Sequence, residues 1–107
     1  MPVYSMTGYA SAQVGKPYCN TNPDRFGPNC YDCSGLTLMA WKAAGVTLPR
    51  TSQTQISVGR SVSRSELQPG DLVFYYSPVS HVGMYIGNGL MVHSSTFGQP
   101  VSVVPVD

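Results

Sequence analysis

The chain has 107 residues, and only 10% of them are charged, with six basic and five acidic side chains and a net charge of +1. This length predicts one domain over residues 1–107. The near-neutral balance excludes a cation-rich surface for nucleic acid, and no apolar run approaches the roughly 20 residues that span a bilayer. We therefore expect a monomer with a polar, charge-poor surface, no bound cofactor or metal, and a neutral, polar substrate.

The first 20 residues lack the basic start and apolar core of a secretory signal peptide. The chain is therefore expected to be a mature domain, a domain excised from a longer protein, or a protein released by another route, as phage lysins are. The cysteine pattern described below favours a working place outside the cytosol.

Helices are predicted in the first half of the chain. One is expected over residues 5–14, with Ser5 or Thr7 as its cap and Gly15 as its stop. A second follows Cys33-Ser34-Gly35 and ends at Gly45, and residues 51–57 are expected to add a helical turn.

Strands are predicted in the second half, at residues 71–76, 81–86, 90–95 and 101–106. Pro105 indicates an edge strand or a strand end, because proline cannot donate to a neighbouring strand. Helices followed by a run of antiparallel strands indicate the α+β class, with the N-terminal helices packed on a small sheet of four or five strands.

Cys33 stands at the predicted start of the second helix. The unpaired N–H groups and the dipole of a helix N-terminus favour an anion, and such a position lowers a thiol pKa and creates a nucleophile. The alternative is that Cys33 is a small buried hydrophobe, which is the commoner fate of a free cysteine.

The two histidines lie in the predicted hairpin of residues 81–95. A three-residue loop that pairs Ile86 with Leu90 collects the apolar residues on one buried face, whereas a two-residue loop would divide them. On the other face His93 then lies opposite Gly83 and diagonal to His81, at about 7–8 Å, and Gly83 leaves the space between them open. One imidazole is predicted to serve as general base, and the other as the group that orients it.

The remaining cysteines allow several interpretations. Cys30 and Cys33 form a CxxC, but a zinc site normally needs a second ligand pair, and a thioredoxin-like redox pair needs a βαβ context. A disulfide between Cys19 and Cys30 is favoured, since closing a loop of about a dozen residues contributes roughly 2–3 kcal/mol. It would imply an oxidising environment and leave Cys33 as the free thiol. Three reduced cysteines are the remaining alternative.

An ordered series of motifs runs along the chain. It comprises Asp32-Cys33-Ser34-Gly35-Leu36, Leu48-Pro49-Arg50-Thr51-Ser52 with Gln55, Leu67-Gln68-Pro69-Gly70-Asp71-Leu72-Val73-Phe74, His81-Val82-Gly83-Met84-Tyr85-Ile86-Gly87, and finally His93. This series resembles the NlpC/P60 family of cell-wall cysteine peptidases from Gly15 to the last strand. The resemblance implies a papain-like α+β fold and hydrolysis of an amide bond in peptidoglycan stem peptides, usually between the D-glutamate γ-carboxyl and the diamino acid.

The same resemblance implies roles for individual residues. Cys33 is the nucleophile, His81 the base and His93 the orienting residue. Tyr18 matches the tyrosine whose hydroxyl joins the Cys33 N–H in the oxyanion hole, where one donor is typically worth about 3–4 kcal/mol. The stem-peptide site is implied at Asp32, Ser34, Arg50 and Ser52. Arg50 has the geometry to bind a substrate carboxylate through two hydrogen bonds, or it is a solvated loop arginine.

One stretch departs from the family pattern. Members commonly continue from the tyrosine into Trp/Tyr-Gly-Gly, whereas this chain reads Tyr18-Cys19-Asn20-Thr21-Asn22-Pro23-Asp24. The expected Cys19–Cys30 disulfide offers a different way of fixing this loop beside the site.

Three functions are compatible with these residues. The first is a D-γ-glutamyl–diamino acid (meso-diaminopimelate) endopeptidase. The second is a cysteine amidase that cuts another wall amide, such as N-acetylmuramoyl-L-alanine. The third is a wall-binding or redox module without hydrolysis, which the joint presence of Cys33, His81 and His93 argues against.

Overall fold

The computed structural model of the protein describes residues 3–20, 27–96 and 98–107. The helices are α1 (Val3–Ala12), α2 (Cys33–Ala43) and α3 (Ser52–Gln55), with a 3-10 turn at Arg64–Glu66 that the sequence did not predict. The strands are β1 (Leu72–Tyr75), β2 (His81–Gly87), β3 (Leu90–His93) and β4 (Ser102–Pro105). Helices thus precede strands, and the predicted α+β class is confirmed. No helix in the described part of the chain is long and apolar enough to cross a membrane.

Helix α1 lies two residues earlier than predicted at both ends. Ser5 and Thr7 lie inside it, so neither is its cap. The predicted stop at Gly15 is also displaced, because residues 13–15 form a tighter turn after Ala12. Gly15 has φ 96° and donates its N–H to the carbonyl oxygen of Val101 at 2.8 Å. At the end of this turn the chain is held by a residue 86 positions further along the sequence. The periodicity of residues 5–14 gives no sign of that contact.

Helix α2 begins where the Asp-Cys-Ser-Gly motif predicted. Asp32 has an extended backbone and accepts the Gly35 N–H at 2.6 Å, which satisfies one of the donors that a helix start leaves unpaired. Leu36 and Ala40, one turn apart, are fully buried against the sheet side of the helix. Trp41 donates its indole N–H to the Gly70 carbonyl oxygen at 3.1 Å, which ties the helix to the turn before β1.

The strands form one antiparallel sheet in the order β1-β2-β3-β4. Each strand pairs with the next along the chain, so short connections suffice. Strand β4 lies at an edge and Pro105 is its last residue, as predicted.

The β2–β3 hairpin has the predicted register near the histidines but a different turn. Met84 lies opposite Val92, as expected, yet Gly87 pairs with Leu90. The loop is therefore the two-residue Asn88-Gly89 turn, and a bulge between Tyr85 and Gly87 absorbs the one-residue shift. Because of the bulge, the hairpin has a two-residue turn and still keeps its apolar side chains on one face. The sequence-based prediction assumed strict alternation of the side chains along both strands, which does not allow this combination.

Both faces of the sheet are covered. Val82, Met84 and Val92 are fully buried on the face that carries the main core with α1 and α2. The face that carries the histidines bears a second cluster, formed by Tyr85, Met91 and Val106. The C-terminal segment folds back to form this cluster, since the Val106 N–H donates to the Gly89 carbonyl oxygen at 2.9 Å.

Candidate active site

Cys33 is the first residue of α2 and meets the start of β2. Its sulfur accepts a hydrogen bond from the backbone N–H of Val82, the residue that follows His81. The N–H groups of Cys33 and Ser34 at the helix start also point to the sulfur. The structure therefore brings Cys33 beside the end of β2 that carries His81, although Cys33 and His81 are 48 positions apart in sequence.

The pKa of the Cys33 thiol differs from the sequence-based expectation. Burial against β2 raises this pKa above its ordinary value, and the carboxylate of Asp32 raises it further. The N–H groups of Val82, Ser34 and Cys33 lower it, but desolvation is the larger effect. A helix start alone favours the thiolate, whereas the packed site favours the neutral thiol at pH 7.

Alkylation of Cys33 provides a direct check of this protonation state. Cys33 is the chain's free thiol, because Cys19 and Cys30 are joined in a disulfide. We expect the iodoacetamide reaction to be slow at pH 7 and to rise with an apparent pKa above about 8.5, the ordinary cysteine value. Mass spectrometry of the unreduced protein across pH measures this rate. A rate already at its plateau at pH 6 would contradict a neutral thiol.

The two histidines meet as predicted. His81 Nε2 lies 2.8 Å from His93 Nδ1, and the ring centroids are 5.0 Å apart. If His81 is the base, its Nδ1 must be unprotonated. Its Nε2 then carries the proton and donates a hydrogen bond to His93 Nδ1. The space between the rings is not open, because a Cβ on Gly83 would lie 2.7 Å from Met91 Sδ and 3.3 Å from His93 Cβ. Glycine is therefore needed there to admit two packed side chains.

Burial keeps both imidazoles neutral. Burial is the larger cause and the charge of a protonated His93 the smaller one, and together they lower the pKa of His81 to about 4. Burial also lowers the pKa of His93. A neutral imidazole beside a neutral thiol is a base that can take the proton as the sulfur attacks.

Folding stability is expected to fall as pH drops from 7 to 5. A histidine in the unfolded chain titrates near 6.5, whereas His81 in the folded protein titrates near 4. Between these values the unfolded chain binds more protons, so acid favours unfolding. Thermal unfolding should show a lower Tm at pH 5 than at pH 7. His81→Gln should show a smaller difference, and an unchanged difference would contradict this assignment.

Asp32, Ser34 and Arg50 form one polar cluster beside Cys33. Arg50 Nη1 donates to Ser34 Oγ at 2.9 Å, and Nη2 pairs with Asp32 Oδ2 at 3.0 Å. Asp32 and Ser34 are buried, while the Arg50 side chain is 30% exposed. The solvated-arginine alternative is therefore wrong. The guanidinium fork is already engaged, so a substrate carboxylate would have to compete with Asp32 for it.

Gln55 holds this cluster in place, a role that the sequence interpretation missed although the residue was part of its motif series. It is 1% exposed, accepts from the Thr37 hydroxyl at 2.8 Å, and donates to the carbonyl oxygens of Ser34 and Pro49. Ser52 is buried at the start of α3 and takes no part in the Arg50 hydrogen bonds. The available clue to Gln55 was a long polar side chain within the short helical turn that follows the Arg50 motif.

Tyr18 lies next to the segment that leads into Cys33. Its backbone forms a parallel bridge to Tyr31, flanked by bonds from Cys19 N–H to the Tyr31 carbonyl and from Tyr31 N–H to the Pro17 carbonyl, each 3.1 Å. The Ser94 hydroxyl donates to the same Tyr31 carbonyl at 2.7 Å, which links this segment to the end of β3.

The loop after Tyr18 is closed by a disulfide. Cys19 and Cys30 are bonded, with Cα atoms 5.6 Å apart and a sequence separation of 11. Their thiolates are therefore not zinc ligands, and among the residues that the structure describes no group of three or more His, Cys, Asp or Glu side chains is placed to hold a metal ion. Residues 21–24, where the chain departs from the family pattern, lie outside the described residues.

Comparison with known proteins identifies the family of this chain. Residues 15–107 match the NlpC/P60 family. A probable endopeptidase of Mycobacterium tuberculosis is 51% identical over 98 residues, which are 92% of this chain and 25% of that protein. This chain therefore spans about a quarter of the length of its mycobacterial relative.

Solved structures are similar over nearly the whole chain. An NlpC/P60 family protein from Bacillus cereus superposes with a TM-score of 0.91 at 32% identity, covering 100% of this chain and 36% of that one. The peptidoglycan hydrolase RipB of Mycobacterium tuberculosis has a TM-score of 0.88 at 35% identity, covering 98% of this chain and 58% of that one. A family match over residues 15–107 and these superpositions lead to one conclusion: the chain belongs to the NlpC/P60 family.

Proposed function

We propose that this domain is a cysteine endopeptidase that hydrolyses the amide bond between the D-glutamate γ-carboxyl and the diamino acid of peptidoglycan stem peptides. The observation that carries the proposal is the free thiol of Cys33 at a helix start, beside a His81–His93 pair joined at 2.8 Å. Membership of a family whose relatives are named probable endopeptidase and peptidoglycan hydrolase supports the substrate class.

The proposed reaction has two steps. His81 Nδ1 takes the Cys33 proton while the sulfur attacks the amide carbon, and the resulting imidazolium then protonates the leaving amine as the C–N bond breaks. Water next attacks the thioester, with His81 accepting its proton, and the carboxylic acid leaves as the thiol is restored. His93 holds His81 in the required tautomer throughout.

Charge on the tetrahedral intermediate needs donors near the attacked carbonyl. The Cys33 N–H and the Tyr18 hydroxyl are proposed for this role, and the backbone bridge of Tyr18 to Tyr31, two residues before Cys33, supports the assignment of Tyr18. The Asp32–Ser34–Arg50 cluster and Ser52 are proposed to bind the acyl part of the stem peptide. Its half-buried guanidinium is paired with the buried Asp32 carboxylate, so a carboxylate of the peptide would compete with Asp32 for Arg50.

The proposed place of action is the cell wall or the extracellular space. The Cys19–Cys30 disulfide supports it, because such bonds persist in oxidising compartments and are rare in the cytosol. The substrate lies in the same place.

Mass spectrometry of a purified stem tetrapeptide tests the proposal, with wild type beside Cys33→Ala. This variant retains the Cys19–Cys30 disulfide, so a loss reports on the nucleophile rather than on the loop. A fragment pair from scission after D-glutamate, absent with the variant, is the expected result. An uncut peptide with sacculi solubilised by the same wild-type sample would indicate an amidase, and no cleavage of either substrate would indicate a binding or redox module.

A further inference from the structure

Tyr75 lies against the candidate base. It is the last residue of β1 and stands directly opposite His81 in the sheet register. Side chains of directly paired residues project from the same face. The two rings have centroids 5.8 Å apart and planes tilted by 39°. His81 is the first residue of β2, so Tyr75 is its cross-strand neighbour at the very end of the ladder.

The position of the Tyr75 ring is fixed at its far end. The hydroxyl donates to the Val106 carbonyl oxygen at 2.8 Å and lies 3.2 Å from Met91 Sδ. Val106 is 7% exposed and Met91 is 3% exposed, so both contacts lie in packed surroundings. A ring held at its hydroxyl and inserted among buried atoms has little freedom to rotate.

The same contacts reach the second histidine. The Met91 sulfur and the His93 Cβ both lie over Gly83, within 3.3 Å of where a Cβ would stand. Tyr75 therefore touches the His81 ring directly and borders the side chain that packs next to His93. The C-terminal segment, through Val106, is connected by this ring to both members of the histidine pair.

We infer that Tyr75 is a positioning residue for the His81–His93 pair: its ring, anchored by the hydroxyl to Val106, holds the His81 imidazole in the plane in which Nε2 meets His93. His81 Nδ1 is then presented to the Cys33 side. The effect on rate rests on the proposed function. The effect on the His81–His93 hydrogen bond does not, and it is measurable without substrate.

Two variants of Tyr75 and one control distinguish the effect of the ring from the effect of the hydroxyl that anchors it. Tyr75→Leu removes both, and Tyr75→Phe keeps the ring but removes the hydroxyl. Tyr85→Phe is the matched control, because Tyr85 is a buried tyrosine of the same sheet whose hydroxyl bonds the Gly89 backbone N–H at 3.1 Å. Each variant is assayed for kcat and KM on the stem tetrapeptide and for Tm.

The direct readout is the imidazole N–H proton resonance of the His81–His93 hydrogen bond at pH 7. We expect Tyr75→Leu to lose or shift this resonance and to lower kcat by about 10- to 100-fold, with KM nearly unchanged. Tyr75→Phe should show a smaller change in the same direction. Tyr85→Phe should keep the resonance and kcat even if its Tm falls.

Two results would overturn the inference. One is a wild-type imidazole resonance in both Tyr75 variants. The other is an equal loss of kcat in Tyr75→Phe and Tyr85→Phe. If Tyr75→Leu does not fold, the imidazole resonance and kcat of Tyr75→Phe, compared with those of Tyr85→Phe, decide whether Tyr75 positions the pair. If the wild type cleaves no stem peptide, the proposed function fails, and the resonance still decides whether Tyr75 positions the pair.

Discussion

His81→Ala is expected to lower hydrolysis of the stem peptide to the background level, whereas His93→Ala should retain measurable activity, about 10- to 100-fold above that background. His81 is the histidine next to the Val82 amide that contacts the Cys33 sulfur, so its loss removes the proton acceptor. His93 only orients the base, through the opposite ring nitrogen at 2.8 Å, so its loss leaves the proton acceptor present but less well positioned.

The measurement is kcat/KM on a purified stem tetrapeptide, with far-ultraviolet circular dichroism to show that each variant is folded. His93→Asn serves as the matched variant, since an amide oxygen can accept the His81 Nε2 proton. It should recover part of the activity that His93→Ala loses. Equal and complete losses in His81→Ala and His93→Ala would contradict the division of roles.

Gly83→Ala is expected to lower activity by about 10- to 100-fold while costing only about 1–3 kcal/mol of folding stability. The new methyl group would stand 2.7 Å from Met91 Sδ and 3.3 Å from His93 Cβ. Met91 is 3% exposed, so its sulfur has little room to retreat, and His93 must move. A displaced His93 lengthens the bond to His81 on which the base depends.

Urea unfolding and kcat on the same preparation separate these two effects. Gly8→Ala is the control, because nothing lies within 4 Å of a Cβ there and alanine favours the α1 interior by about 1 kcal/mol. Gly8→Ala should keep full activity with equal or higher stability. A Gly83→Ala protein with wild-type activity would show that the histidine pair tolerates the shift.

Much of this site was predictable because its signals are local. The extended cap at Asp32 and the helix after it follow from an Asp-Cys-Ser-Gly sequence in which the side chain serves a backbone donor three residues on. The meeting of His81 with His93 follows from the two-residue period of strands and a short loop. The predicted loop was one residue too long, because local alternation gives no sign of the bulge between Tyr85 and Gly87.

The protonation state of Cys33 was not predictable in the same way. A helix start favours the thiolate in isolation, but the pKa also depends on what covers the sulfur. That cover comes from β2, whose Val82 lies 49 positions further along the chain. The second cluster on the histidine face was not predicted either, because Val106 returns from the C-terminus to pack against Tyr85 and Met91.

The sequence by itself determined the chemistry that this chain carries: a cysteine at a helix start, two histidines on one face of a hairpin, and a cysteine pair flanking a loop. These depend on contacts within one helix turn, one hairpin or one loop, where neighbouring residues set the geometry. The tertiary structure decided how those groups are tuned. It paired Arg50 with Asp32 and Ser34, partly buried the thiol and both imidazoles, and anchored Tyr75 on a carbonyl 31 positions away. Desolvation and long-range hydrogen bonds depend on which segments the whole fold brings together, and no local pattern encodes that choice.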